Sequence, residues 1–175
     1  LLYILPCLLF SYNFYKFNIK LFQMSLLKVG DKIPKFSCYD DKENLITDKD
    51  LIGKKTIIFF YPRANTPGCT AQACNLSENF SSLSKLGFSI IGISADKIKS
   101  QSSFSSKFGG FPYPLLADEE KKIINAFGVW GFKKFMGKEY EGILRTTFII
   151  DENLVITRVI EKVKTKEHTK QILEV

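Results

Sequence analysis

Cys69 and Cys74 lie in Tyr61-Pro62-Arg63-Ala64-Asn65-Thr66-Pro67-Gly68-Cys69-Thr70-Ala71-Gln72-Ala73-Cys74, the stretch of this 175-residue chain best suited to chemistry. The apolar run Thr56–Tyr61 stops at Pro62, a loop rich in Pro, Thr and Gly follows, and helical periodicity begins near Pro67. Cys69 therefore falls in the first turn of a helix. Unpaired N–H groups and the positive end of the helix dipole favour thiolate over thiol there. That makes Cys69 a candidate nucleophile at neutral pH, against the alternative of a small buried hydrophobe.

The spacing of the second cysteine restricts what the pair can do. Five helical steps of about 100° and 1.5 Å put the two Cα atoms on largely different faces, roughly 8–9 Å apart. The limit for a disulfide is about 7 Å. A static structural bond is therefore geometrically poor. Metal sites prefer Cys-x-x-Cys pairs with further ligands, which Cys7, Cys38 and His168 do not obviously supply. A redox pair that bonds only after local unwinding survives. A third candidate is Arg145, at the entry to the strand-like run Thr146–Asp151. It reads either as a solvated surface charge or as a permanently protonated fork of donors for a thiolate and an oxyanion-like substrate.

Around these residues the chain alternates strand-like and helical windows. Ile33–Tyr39 and Leu45-Ile46, joined by the turn-rich Asp40–Asn44, read as a hairpin. Thr56–Tyr61 and Phe88–Ser94 read as buried strands. Cys69, Ala73, Leu76, Phe80, Leu83 and Leu86 recur at three- and four-residue steps, which predicts one helix over Pro67–Leu86 stopped by Gly87. Further helices are expected over Ile98–Phe108 and Glu119–Phe127 and from about Lys166, with strands at Pro114–Ala117, Thr146–Asp151 and Leu154–Ile160. Gly128–Gly137 reads as a mobile aromatic loop or as apolar cover for a sheet edge. Alternating strands and helices imply a sheet covered on both faces, a three-layer α/β domain.

Composition agrees with one folded domain over residues 24–175. Hydrophobic residues make up 45% and charged residues 25%, ordinary for a globular chain. The net charge of +7 is spread without a long basic run, which speaks against a nucleic-acid partner. The single histidine, His168, is expected in a C-terminal tail, so Ser-His-Asp or Cys-His chemistry is set aside. The apolar run Leu1–Phe10 is about half the length that spans a bilayer, and no stable membrane association is expected. Lys16 and Lys20 follow that run rather than precede it, unlike a secretory signal. Residues 1–23 therefore read as a leader outside the domain, either upstream translation or a targeting segment.

These motifs are those of a known family. Pro62, Thr66 and Cys69 stand as Pro-x-x-x-Thr-x-x-Cys, and Thr66-Pro67-Gly68-Cys69-Thr70 is followed by Cys74. Arg145 precedes Thr147-Phe148-Ile149-Ile150-Asp151, while Gly128-Val129-Trp130-Gly131 and Met136-Gly137-Lys138 lie between. In this the chain from about Met24 resembles the peroxiredoxins, in their bacterioferritin comigratory protein (peroxiredoxin Q) subgroup. Phe132 departs from the acidic or polar residue expected there.

The resemblance implies a thioredoxin-like three-layer fold with a central mixed sheet and an N-terminal β-hairpin. It implies reduction of hydrogen peroxide and organic hydroperoxides by a Cys69 thiolate that becomes a sulfenic acid. Thr66 and Arg145 would orient the peroxide, Pro62 would shield the thiolate, and Cys74 would resolve the sulfenate as an intrasubunit disulfide. Thioredoxin, or glutaredoxin, would reduce that bond. No cofactor or metal is implied, and Cys7 and Cys38 inherit no role. A monomer or weak dimer in the cytoplasm is expected, or in an organelle lumen if residues 1–23 are a targeting segment. Two other classes compete. A general thiol–disulfide oxidoreductase would need Cys-x-x-Cys, and a redox-responsive binding module has no use for Thr66 and Arg145 together.

Overall fold

The computed structural model describes residues 25–174 apart from residue 136. Residues 1–23, expected above to be a leader and including Cys7, lie outside the described residues, as do Met24 and Met136. The N-terminal hairpin pairs β1 (Ser37–Tyr39) with β2 (Leu45–Thr47). At the centre runs β3 (Lys55–Phe60), whose residues after Lys55 are all buried. It pairs in parallel with β4 (Phe88–Ser94) and antiparallel with β8 (Thr146–Ile150). Beyond these lie β5 (Leu115–Ala117), parallel to β4, and β9 (Ile156–Ile160), antiparallel to β8. The result is a mixed five-stranded sheet in the order β5-β4-β3-β8-β9.

Both faces of that sheet are covered because β3 sends apolar side chains both ways. Ile58 and Phe60 join Ile91, Phe127 and Phe148 on one face. Ile57, Phe59 and Tyr61 join Cys69, Leu76, Phe104 and Ile172 on the other. This is the two-residue periodicity of a strand, and each fully buried Phe or Ile stabilises the fold by roughly 1.5–3 kcal/mol. Helices α1 (Pro67–Glu78), α2 (Phe80–Lys85), α3 (Ile98–Lys107), α4 (Lys122–Ala126) and α5 (His168–Leu173) complete the domain. The thioredoxin-like three-layer architecture with its mixed sheet is thus present.

Three expectations need correction. The helix expected over Pro67–Leu86 is broken at Asn79, which has φ −100° and ψ 8°. The Asn79 side-chain amide donates to the carbonyl of Asn75 at 2.8 Å, the local competition that makes Asn a poor helix-interior residue. Gly87, at φ +83°, ends the second piece as expected. Gly128–Gly137 is not an irregular loop: β6 (Trp130–Phe135) pairs antiparallel with β7 (Lys138–Ile143), an element the sequence pattern missed. The Lys121 ammonium lies 4.1 Å from the centre of the Trp130 ring at the base of this hairpin, while Phe132 stays 68% exposed. Finally, His168 is no tail residue. It is fully buried at the start of α5.

Candidate active site

The site lies where β3 runs out towards the N-terminus of α1. After Pro62 the chain turns through Asn65, at φ +60°, and Ala64 donates its N–H to the Asp96 carboxylate at 2.8 Å. Thr66 is the N-cap of α1, extended in its backbone, and Pro67 starts the helix with a ready-made φ. The Thr66 hydroxyl does not cap the helix but donates to the carbonyl of Arg63 at 2.9 Å. Cys69 is the third residue of α1 and only 1% exposed. Pro62, Thr66 and Cys74 are all half-buried.

Arg145 arrives from the connection between β7 and β8. Its Nη2 donates to the Cys69 Sγ at 3.3 Å, and its Nη1 donates to the Gln72 Oε1 at 2.5 Å. The reading of Arg145 as a solvated surface charge does not survive this contact. Gly68 lies beside it, and a Cβ there would come to 3.4 Å from Nη2, ordinary contact distance. The helix N-terminus and the guanidinium thus face the same sulfur.

A second cation stands nearby. Lys133 on β6 is half-buried, and its ammonium is held below the usual range by burial and then by repulsion from Arg145, while Cys69 pulls the other way. The two other described cysteines, Cys38 and Cys74, are in unlike surroundings. Burial, and after it the Asp118 charge, pushes the Cys38 thiol up to about 11. Burial and then Glu78 push the Cys74 thiol up as well. Cys69 and Cys74 stand on one continuous helix and both are free thiols. Among the described residues no group of three or more His, Cys, Asp or Glu side chains could hold a metal ion.

Sequence reasoning passed over two residues that the fold brings to the site. Gln72 sits one helical turn after Cys69, fully buried, between Arg145 and His168. Its spacing from Cys69 was a usable signal, since residues three apart share a helix face. His168 bonds Gln72 through Nδ1 at 3.3 Å and the Thr147 hydroxyl through Nε2 at 3.0 Å. Nothing in the local sequence around His168 announces that contact. Burial, then Arg145, lowers its pKa to about 4, so the imidazole is neutral.

Comparison with known proteins places this geometry in company. The sequence profile of the AhpC/TSA family matches residues 29–159. The chain is similar to peroxiredoxin Bcp of Escherichia coli K12, 43% identical over 150 residues that cover 86% of this chain and 96% of the relative. Its fold is similar to the Xanthomonas campestris bacterioferritin comigratory protein, studied for its alkyl peroxide reduction activity. That likeness has a TM-score of 0.74 at 29% identity, covering 82% of this chain and 95% of the other. A mutant of PrxQ from Xylella fastidiosa gives a TM-score of 0.79 at 26% identity, covering 86% and 95%.

Proposed function

The chain belongs to the AhpC/TSA family, as a peroxiredoxin and so a peroxidase, and from that premise we propose that it reduces hydrogen peroxide and alkyl hydroperoxides through Cys69, with Cys74 as the resolving thiol. The observation that carries the reading is the 3.3 Å contact from the Arg145 guanidinium to the Cys69 sulfur at a helix N-terminus. Positive partial charge from the helix and full charge from Arg145 stabilise the thiolate that must attack.

In the first step the Cys69 sulfur attacks the terminal peroxide oxygen. An S–O bond forms as the O–O bond breaks, sulfur is oxidised to the sulfenic acid, and the departing alkoxide or hydroxide leaves as alcohol or water once protonated. Negative charge develops on the leaving oxygen, where the donor fork of Arg145 stabilises it. Thr66, at the mouth of the loop, orients the peroxide through its hydroxyl, and Pro62 limits water at the thiolate.

In the second step Cys74 attacks the sulfenic sulfur, an S–S bond forms and water leaves. Both cysteines stand on the intact helix Pro67–Glu78, and the Cys74 thiol is disfavoured as an anion while it is packed there. Unwinding relieves both restrictions, bringing the sulfurs within bonding distance and exposing Cys74 to water. A thioredoxin-type dithiol then takes the disulfide by exchange and restores two thiols. The protein acts as a monomer or weak dimer in the cytoplasm, the reducing compartment that supplies such a dithiol. Among the described residues no helix is long and apolar enough to cross a membrane.

Peroxide turnover with thioredoxin and its reductase tests this reading. Cys69→Ser is expected to abolish turnover, because a hydroxyl is far less acidic than a thiol and forms no sulfenic acid. More than a trace of thioredoxin-dependent activity in that variant overturns the assignment.

A further inference from the structure

A buried polar chain runs from the reacting sulfur to the C-terminal helix, and each link has a forced direction. Arg145 has only donors, so the Gln72 oxygen must face it. The Gln72 amide nitrogen, also only a donor, must then face His168. The His168 Nδ1 atom is therefore bare, and the ring proton sits on Nε2, donated to the Thr147 hydroxyl. Gln72, Thr147 and His168 are all fully buried, so water cannot replace a lost partner without a rearrangement.

We propose that His168 is a positioning residue for the peroxidase reaction: as the Nε2–H tautomer it holds the Gln72 amide in the one orientation that aims Arg145 at Cys69. The proposal rests on the reading of Cys69 as the peroxidatic thiol. It adds that the guanidinium is held from behind by a residue of the last helix. The reverse tautomer would set two N–H donors against each other at Gln72, and the amide could relieve this only by turning its nitrogen towards Arg145. The guanidinium would then face a donor and lose its place on the sulfur. A misplacement of about 1 Å in such a group can cost a hundredfold in rate.

The chain contains a single histidine, so its imidazole nitrogens can be read without ambiguity. Nitrogen-15 NMR of the untagged full chain at neutral pH is expected to show a neutral ring with bare Nδ1 and protonated Nε2. A proton on Nδ1, or an imidazolium, overturns the proposal without any mutation. Gln72→Glu replaces the donor facing His168 with an acceptor, so Nδ1 should acquire a proton in that variant, and an unchanged tautomer counts against the relay.

His168→Leu removes the acceptor and should lower both the ultraviolet thiolate absorbance at neutral pH and the rate of the peroxide step, the rate by roughly tenfold to a hundredfold. His168→Asn, whose Oδ1 stands near the place of Nδ1, should recover most of both. A merely structural histidine predicts no such ordering. Wild-type thiolate absorbance in folded His168→Leu sinks the idea. Tautomer and thiolate are read without peroxide, so they decide the relay even in a protein that reduced none.

Discussion

The Nη2 of Arg145 lies 3.3 Å from the sulfur of Cys69, across 76 residues of sequence. Removing it withdraws a full charge hydrogen-bonded to that sulfur and leaves the Gln72 oxygen without its Arg145 donor. Arg145→Ala is expected to lower the thiolate fraction at neutral pH and slow the peroxide step by about 10²–10³, the usual cost of deleting a charge-stabilising donor. Arg145→Lys should recover part of this, since a point charge lacks the fork that reaches two acceptors. Thiolate absorbance that titrates identically in wild type and Arg145→Ala would contradict the role assigned to the guanidinium.

With Cys74 as the proposed resolving thiol, oxidation is expected to cost α1 part of its structure. The helix around the two cysteines is held by Tyr113, whose hydroxyl donates to the Ala73 carbonyl at 2.6 Å, and by Asn75 just after Cys74, whose Oδ1 accepts the Thr169 N–H of α5 at 2.8 Å and whose amide donates to the Lys166 carbonyl at 3.0 Å. A bond from Cys69 to Cys74 unwinds the turn that carries both tethers. Hydrogen exchange after peroxide treatment should therefore quicken over residues 69–78 and over α5, while Cys74→Ser keeps its protection and leaves Cys69 as sulfenic acid. A mass-mapped Cys69–Cys74 bond with unchanged protection would refute the unwinding. A bond to Cys38 or to another subunit would remove Cys74 from the resolving role.

Acid should weaken the fold through His168. Its folded pKa is about 4 against an ordinary value of 6.5. Between those values the unfolded chain binds the proton and the folded one does not. The contribution of His168 is thus fully present above about pH 6.5 and lost as pH falls towards 4, amounting to about 3 kcal/mol over that window. Urea unfolding at pH 7 and pH 5 should show a steeper loss for wild type than for His168→Asn. Parallel losses would mean that His168 is not buried as a neutral ring.

Gly92 should tolerate no side chain. It lies in β4 between Phe59 and Leu115, and a Cβ there would stand 2.7 Å from the Phe59 ring and from the Leu115 methyl. Gly92→Ala is expected to cost roughly 1–3 kcal/mol by overpacking, seen as a lower urea midpoint at unchanged slope. A midpoint equal to that of wild type would show that the sheet yields at this point.

Much of this molecule was legible in the chain because local pattern and global fold agree there. Phe88–Ser94 reads as a strand and is one, and Cys69 reads as a first-turn residue and is one. The failures have physical causes. The break at Asn79 depends on a side-chain bond to the Asn75 carbonyl that apolar periodicity does not register. The β6–β7 hairpin alternates weakly, with Phe132 turned outward and Lys133 half-buried, so no clean two-residue pattern marks it. His168 and Gln72 are 96 residues apart, and only the folded sheet brings them together.

The tethers that hold α1 also bear on the energetics of recycling. If Cys74 resolves Cys69 as proposed, docking of the helix through the Tyr113 and Asn75 contacts favours the dithiol form over the disulfide. By linkage this raises the reduction potential of the Cys69–Cys74 couple, by about 30 mV for each ~1.4 kcal/mol of docking free energy that oxidation forfeits. The refolding helix thereby draws electrons from the incoming dithiol, and the same two cysteines in an unstructured peptide would form a weaker oxidant.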